Sequence, residues 1–298
     1  MVQLRPVQES DFPAVERAFL AAFELTSPPD PDYVANLCYS HPAGCLVATD
    51  DRGEVVGYAS SHRAGSVGYL GNLGVLPAHQ GEGHGKALTV AARDQLAGCC
   101  EVVGLAVDPG RGRNLELYSS RGFVPTLPSA FVWKPLASDR SRGAVPAVRS
   151  ARELGAEAAD AVERVGAWLG ELVPGLELGR DLERFVAAYP DRLWFELDGA
   201  EVRGFLAYEG SFRGDPFGAV RPGADEAQVF AGLVRAVEAA VDDEALVFHY
   251  HTCFGRLQPL FRELGYRTVG HKTNMVLGGR SAGWPVASEA LLLRPWWS

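Results

Sequence analysis

The densest chemistry in the chain lies in one short turn. Gln80-Gly81-Glu82-Gly83-His84-Gly85-Lys86 holds three glycines within five residues. An apolar stretch ends just ahead of it at Pro77, and an apolar helical face follows in Ala87, Leu88, Val90, Ala91 and Leu96. The order is strand, turn, helix. Free backbone N–H groups at a helix N-terminus attract anions, and the helix dipole adds to the attraction. Glycines permit positive φ and let phosphate oxygens approach the main chain. Pro77 cannot donate to a ladder and suits a strand end. The turn therefore reads as a phosphate cradle, with an ordinary glycine-rich turn as the plain alternative. A nucleotide-triphosphate loop would need a Ser or Thr after Gly85-Lys86, and Ala87 stands there. A dinucleotide fingerprint would open a βαβ unit with an acid about 20 residues later, and the hairpin ahead of this turn does not fit that order.

Other reactive side chains are less organised. His249 and His251 alternate on a predicted strand from Leu246 to Thr252 and share one side, but no third ligand of suitable type accompanies them. They read as a polar strand face, and no metal site is expected. Cys38, Cys45, Cys99, Cys100 and Cys253 show no metal-ligand spacing and read as buried reduced thiols. The net charge of −9 disfavours nucleic acid as a partner, since phosphate contacts need clustered Lys and Arg. It suits a cationic or amine-bearing small molecule.

The elements that must position the turn follow from pattern. A strand at Val2–Pro6 precedes an amphipathic helix that begins at Asp11. Leu46–Thr49 and Val55–Ser60 form a hairpin around Asp50-Asp51-Arg52-Gly53. Val67–Val75 is the strand entering the turn, and Gly83–Leu96 the helix leaving it. A strand at Val102–Val107, a helix at Asn114–Arg121 and a last pair of strands within Gly122–Pro135 complete the half. No apolar run reaches the ~18 residues of a membrane span, and Met1–Arg5 lacks the apolar stretch of a signal peptide. A soluble, cytoplasmic protein without a membrane partner is expected.

The 298 residues suit two domains. Residues 1–137 form the first, 138–147 a polar linker, and 148–298 the second. The second half repeats the order of the first at an offset of about 145 residues. Leu4–Glu9 matches Val148–Glu153, Glu54-Val55-Val56-Gly57 matches Glu201-Val202-Arg203-Gly204, and Leu117, Gly122 and Phe123 match Leu260, Gly265 and Tyr266. A tandem duplication accounts for that order.

Three segments together resemble the GNAT superfamily of N-acetyltransferases. Gln80–Gly85 is similar to its Gln/Arg-x-x-Gly-x-Gly/Ala motif. Leu73-Gly74-Val75-Leu76-Pro77 resembles its pantetheine-contacting strand, and Leu117–Pro125 its last helix and Gly-Phe strand entry. The resemblance spans the first half. It implies an α/β (α+β) fold with two GNAT-like domains, each a mixed, mostly antiparallel sheet flanked by helices. It implies acetyl-CoA as acyl-donor cosubstrate. Main-chain groups of Leu73, Gly74 and Val75 would pair with the pantetheine arm, and amides of Gln80, Gly81, Glu82, Gly83, His84, Gly85 and Lys86 would hold the pyrophosphate. His84 itself reads as an exposed turn residue, and Lys86 as a point charge near the phosphates or a solvated lysine.

Tyr118 stands where the family places a tyrosine that donates to the coenzyme sulfur, which makes it the candidate general acid. The family's asparagine seven residues earlier is Arg111 here; Asn114 can take that polar role only if the helix start shifts by one turn. No carboxylate lies on Gly68–Gly74, where some members place their base. Asn72 there could only order a water.

The second copy is degenerate. Phe261 replaces the tyrosine, two of the three turn glycines are gone, and Asp225 and Glu226 set negative charge where a phosphate would lie. The expected activity is acetyl transfer to a primary amine of a small molecule or peptide, with a homodimer left open. The alternatives are a non-catalytic acyl-CoA-binding or regulatory module, and a partner-binding pair of domains. The loop Ser27–Tyr33 is expected to shape the acceptor pocket, and the apolar C-terminus with Trp296 and Trp297 to dock on a domain.

Overall fold

The computed structural model describes residues 2–27, 34–35, 37, 44–110, 112–136, 147–208, 216–223, 225–278 and 291–293. Arg111, Cys38, most of the Ser27–Tyr33 loop, most of the 138–147 linker and the two C-terminal tryptophans lie outside the described residues. The chain divides into two compact units. The first comprises residues up to Thr126 and the stretch that begins at Thr273; the second comprises Leu127–Lys272 and the stretch holding 291–293. No described helix is long and apolar enough to cross a membrane.

The first unit is a sheet between two helices. β1 (Gln3–Pro6), β2 (Leu46–Thr49), β3 (Val55–Ala64), β4 (Val67–Val75) and β5 (Val102–Val107) lie side by side in that order. Successive strand side chains point to opposite faces, so a sheet covered on both sides must be apolar at nearly every position. β2 is buried throughout for this reason. Val47, Val55 and Tyr58 pack against Val15, Ala18 and Phe19 of α1 (Phe12–Phe23). Leu46, Ala48, Val56 and Ala59 face the other way, onto Leu88, Ala92 and Leu96 of α2 (His84–Ala97). The four-residue spacing of those α2 side chains is the helical repeat that keeps them on one stripe. The bidentate Arg5–Asp11 pair ties the end of β1 to the residue before α1. α3 (Gly112–Ser119) and β6 (Phe123–Pro125) follow β5.

The second unit holds β8 (Val148–Ser150), α4 (Ala151–Leu154), α5 (Glu157–Leu172), α6 (Gly179–Ala188), β9 (Leu193–Asp198), β10 (Glu201–Ala207), β11 (Phe217–Val220), α7 (Glu226–Ala240), β12 (Ala245–His251), α8 (Leu257–Glu263) and β14 (Leu291–Leu293). Its larger sheet runs β14-β11-β10-β9-β8. The fold class expected from the sequence, two mostly antiparallel sheets flanked by helices, is the one found. The first unit carries a parallel ladder, between β4 and β5. Every described ladder of the second is antiparallel.

The expected boundary at residues 137–148 does not coincide with the division into units. β7 (Ser129–Pro135) was expected to finish the first domain, yet it belongs to the second unit and pairs with β12. β13 (Arg267–Leu277) starts in the second unit beside β7, and its last five residues pair with β5 and β6 in the first. β7 thus falls in the second unit and the end of β13 in the first. Met275 is fully buried among Val103, Leu105 and Val107, so it closes the first core. Lys134 on β7 reaches the buried Glu238 of α7 at 2.6 Å, which also accepts from the Tyr266 hydroxyl. A buried charge pair of this kind is costly to break and so fixes the choice of strand.

Candidate functional site

β4 is paired with β3 along its length, but its parallel ladder with β5 covers only Val67–Tyr69 against Val102–Gly104. Beyond that point β4 leaves β5, and Leu73 and Val75 have no strand partner on that edge among the described residues. The Leu73 main chain and the Val75 amide there are available to an extended ligand, which could add to the edge as another strand would. Leu76 donates to Val56 at 2.9 Å and closes the ladder with β3, and Pro77–His79 then form a single 3-10 turn.

The glycine turn is anchored and then opened. Gln80 Nε2 donates to the Val75 carbonyl at 3.1 Å, so its side chain serves the loop rather than a ligand. Gly81 and Gly83 have φ of 88° and 93°, a left-handed conformation that side-chain-bearing residues adopt at a cost of about 1–2 kcal/mol. A Cβ at either would meet nothing within 4 Å, so the space before the turn is clear. Gly83 caps α2, and the helix's first internal bond runs from the Ala87 amide to the Gly83 carbonyl at 3.0 Å. The amides of His84, Gly85 and Lys86 thus have no helical acceptor and carry the positive end of the helix dipole. Gly85 lies beside Val75 and Leu73, so turn and strand edge are contiguous. Lys86 is exposed.

His84 corrects an expectation. It is not an exposed turn residue but is only 6% exposed. Its Nε2 lies 3.2 Å from Glu82 Oε2, and His79 Nδ1 lies 3.3 Å from the same oxygen. His79, which the motif does not single out, joins the site in this way. The three ligand atoms lie within 4.8 Å of one another and offer a set of donors of the kind zinc accepts. Spacings of three and two residues inside a turn were the signal for it in the sequence.

Tyr118 lies on α3 in the same apolar cluster as Leu70, Val75, Leu88 and Val107. It is 9% exposed and sits edge-on to Phe123, with ring centroids 6.1 Å apart. Burial pushes its phenol up to about 12, because the charged form is poorly solvated there. The hydroxyl keeps its proton throughout the neutral range. Asn114 is half-buried one turn earlier on the same helix, and four residues place it on the face of Tyr118. His249 and His251 fall elsewhere. Both are buried in the second unit; His249 stacks on Phe131 and His251 lies edge-on to Phe254.

A strand edge left open by splaying, a glycine turn with free amides and a buried neutral tyrosine thus all lie in the first unit. Residues 12–123 match the acetyltransferase (GNAT) family. Over those residues the chain carries a GNAT acetyltransferase domain, which supports an acyltransferase. Solved structures share the fold across nearly the whole chain. A Pyrococcus horikoshii protein given as a candidate acetyltransferase is 16% identical, with a TM-score of 0.71 over 93% of this chain and 89% of that one. A GCN5-related N-acetyltransferase from Sphaerobacter thermophilus is 17% identical, with a TM-score of 0.63 over 92% and 95%. One from Kribbella flavida is 16% identical, with a TM-score of 0.57 over 93% and 71%. At such identities the likeness concerns the fold. No curated protein matches the sequence.

Proposed function

We propose that the first unit binds acetyl-CoA and passes its acetyl group directly to a primary amine of a small molecule or peptide. The observation that carries this reading is the junction of β4 with α2. There an open strand edge at Leu73 and Val75 runs straight into the amides of residues 81–86. The first would take the pantetheine arm and the second the pyrophosphate. The thioester supplies an activated acetyl group. The amine nitrogen forms a bond to the carbonyl carbon, the carbon–sulfur bond breaks, and the amine gives up a proton to solvent.

Tyr118 acts on the departing sulfur. A thiol has a pKa near 8.5, and a phenol near 12 does not surrender its proton outright to such a thiolate. It donates a hydrogen bond that stabilises the charge as it develops. Asn114 supports the polar end of α3. The reading goes with a cytoplasmic enzyme, monomeric or a homodimer.

The absence of a carboxylate from β4 favours one second reading, a module that binds acyl-CoA without turnover. Calorimetry with acetyl-CoA, joined to a thiol-release assay on a panel of amines, separates the two. Binding with release on at least one amine supports the transferase. Binding with no release on any amine supports the module, and no binding removes both.

A further inference from the structure

The second unit has its own counterpart of the β4–α2 junction. In the first unit Gly57 of β3 lies opposite Val75 of β4, and in the second Gly204 of β10 lies opposite Val220 of β11. Each glycine lies close under the neighbouring strand and the following helix. A Cβ on Gly57 would press on Gly74 and Val75 of β4 and touch Leu88 of α2, and one on Gly204 would press on Ala219 of β11 and on Val229 and Leu233 of α7. Val220 is therefore the equivalent of Val75, and Gly218–Val220 the equivalent of Leu73–Val75.

That edge is taken. β14 pairs antiparallel with it, Leu293 opposite Gly218 and Leu291 opposite Val220. β14 also packs against β12, so it touches both β11 and β12. Its leucines are buried, and a cavity of only about 10 Å³ remains among Leu291, Leu293, Phe205, Phe230 and Leu233. That is about one water-sized probe and no room for a ligand. The anion position is taken as well. Glu226, in the first turn of α7, accepts the Gly223 amide at 2.8 Å through Oε1, and its Oε2 lies 2.6 Å from Arg256.

We infer that the second unit fills its own cofactor slot, with Leu291–Leu293 in the course of a pantetheine arm and the Glu226 carboxylate in the place of a phosphate. The comparison with pantetheine rests on the function proposed for the first unit; the self-occupancy rests on β14 and Glu226 alone. A strand gives β11 the main-chain bonds the arm would give, and a carboxylate gives a helix N-terminus the anion it attracts. The chain binds one acyl-CoA, and the second unit owes part of its cohesion to β14.

Titration calorimetry of acetyl-CoA on the full chain should give one equivalent per chain, falling to none in Gly83→Asp. Two equivalents in the wild type, or one surviving in Gly83→Asp, would overturn the inference. Hydrogen exchange followed by mass spectrometry tests it apart from cofactor binding. In Leu291→Asp/Leu293→Asp, amides of Phe217–Val220 should exchange about 10²-fold faster, with Val67–Val75 unchanged; equal rates in β11 would overturn it. Should that variant not fold, exchange of residues 291–293 in the wild type decides. Protection matching β10 supports the inference, and exchange at the rate of unstructured chain refutes it. Loss of acetyl-CoA binding in the wild type would remove the proposed function and leave the exchange result standing.

Discussion

Tyr118→Phe isolates one oxygen. The ring that packs edge-on against Phe123 is kept, and so is nearly all the buried volume of α3. No hydrogen bond ties the hydroxyl to another described residue, so its removal leaves no described partner stranded. Stability should change by under about 1 kcal/mol. The rate is another matter. A hydrogen bond to a charged group contributes about 1.5–3 kcal/mol, which converts to roughly 10- to 150-fold at ~1.4 kcal/mol per factor of ten. We expect kcat to fall by about 10²-fold, toward the upper end of that range, with the Kd for acetyl-CoA within about twofold of wild type.

The assay is release of free thiol under saturating acetyl-CoA and amine, alongside calorimetric Kd. The pH profile adds a second constraint. Since the phenol is pushed up to about 12, it does not ionise in the working range, and the ratio of wild-type to variant rate should stay flat from about pH 6 to pH 9. An unchanged kcat would remove Tyr118 from the mechanism. A ratio that collapses between about pH 7 and pH 9 would show a phenol titrating far below the value its burial imposes.

Three further outcomes follow from the same structure. Gly83→Asp combines about 1–2 kcal/mol of left-handed strain with a carboxylate beside the pyrophosphate, and should weaken acetyl-CoA more than about 10²-fold with an unchanged circular dichroism spectrum. His251, buried with its pKa lowered from 6.5 to about 4, stays neutral in the fold while the unfolded chain takes up a proton. Stability should fall by about 3 kcal/mol as pH drops from 7 to 4, and urea unfolding of His251→Leu should lack most of that slope. Asp181 has the opposite sign, since burial raises it from 3.8 to about 7. Its contribution is present at acid pH and lost as pH rises through about 7, so Asp181→Asn should stabilise the chain more at pH 8 than at pH 5. A larger gain at pH 5 would contradict it.

Much of the first unit was legible because its signals are local. The β4–turn–α2 order follows from Val67–Val75, three glycines and the apolar stripe at Leu88, Ala92 and Leu96, all within about thirty residues. Tyr118 was singled out through the order of the motifs around it, not through any property of its own helix. What the sequence could not supply was the burial of His84. A histidine at the first position of a helix following two glycines reads as solvated, and only the fold brings His79 and Glu82 around it.

The placing of β7 and β13 and the role of β14 escaped for a different reason. Pairing between strands is decided by partners far apart in the chain, which no local pattern names. Lys134 settles β7 by meeting Glu238 about a hundred residues on, and Met275 settles the end of β13 by closing a core. Leu291-Leu292-Leu293 likewise looks like any apolar stretch until β11 is seen to need a neighbour. The two units then pose one physical problem with two answers. A sheet whose strands part exposes main-chain donors and acceptors on an edge, and such an edge must be satisfied. On our reading the first unit leaves that edge to its cosubstrate, which makes it a binding site. The second covers it with its own chain, and the same fold becomes a scaffold.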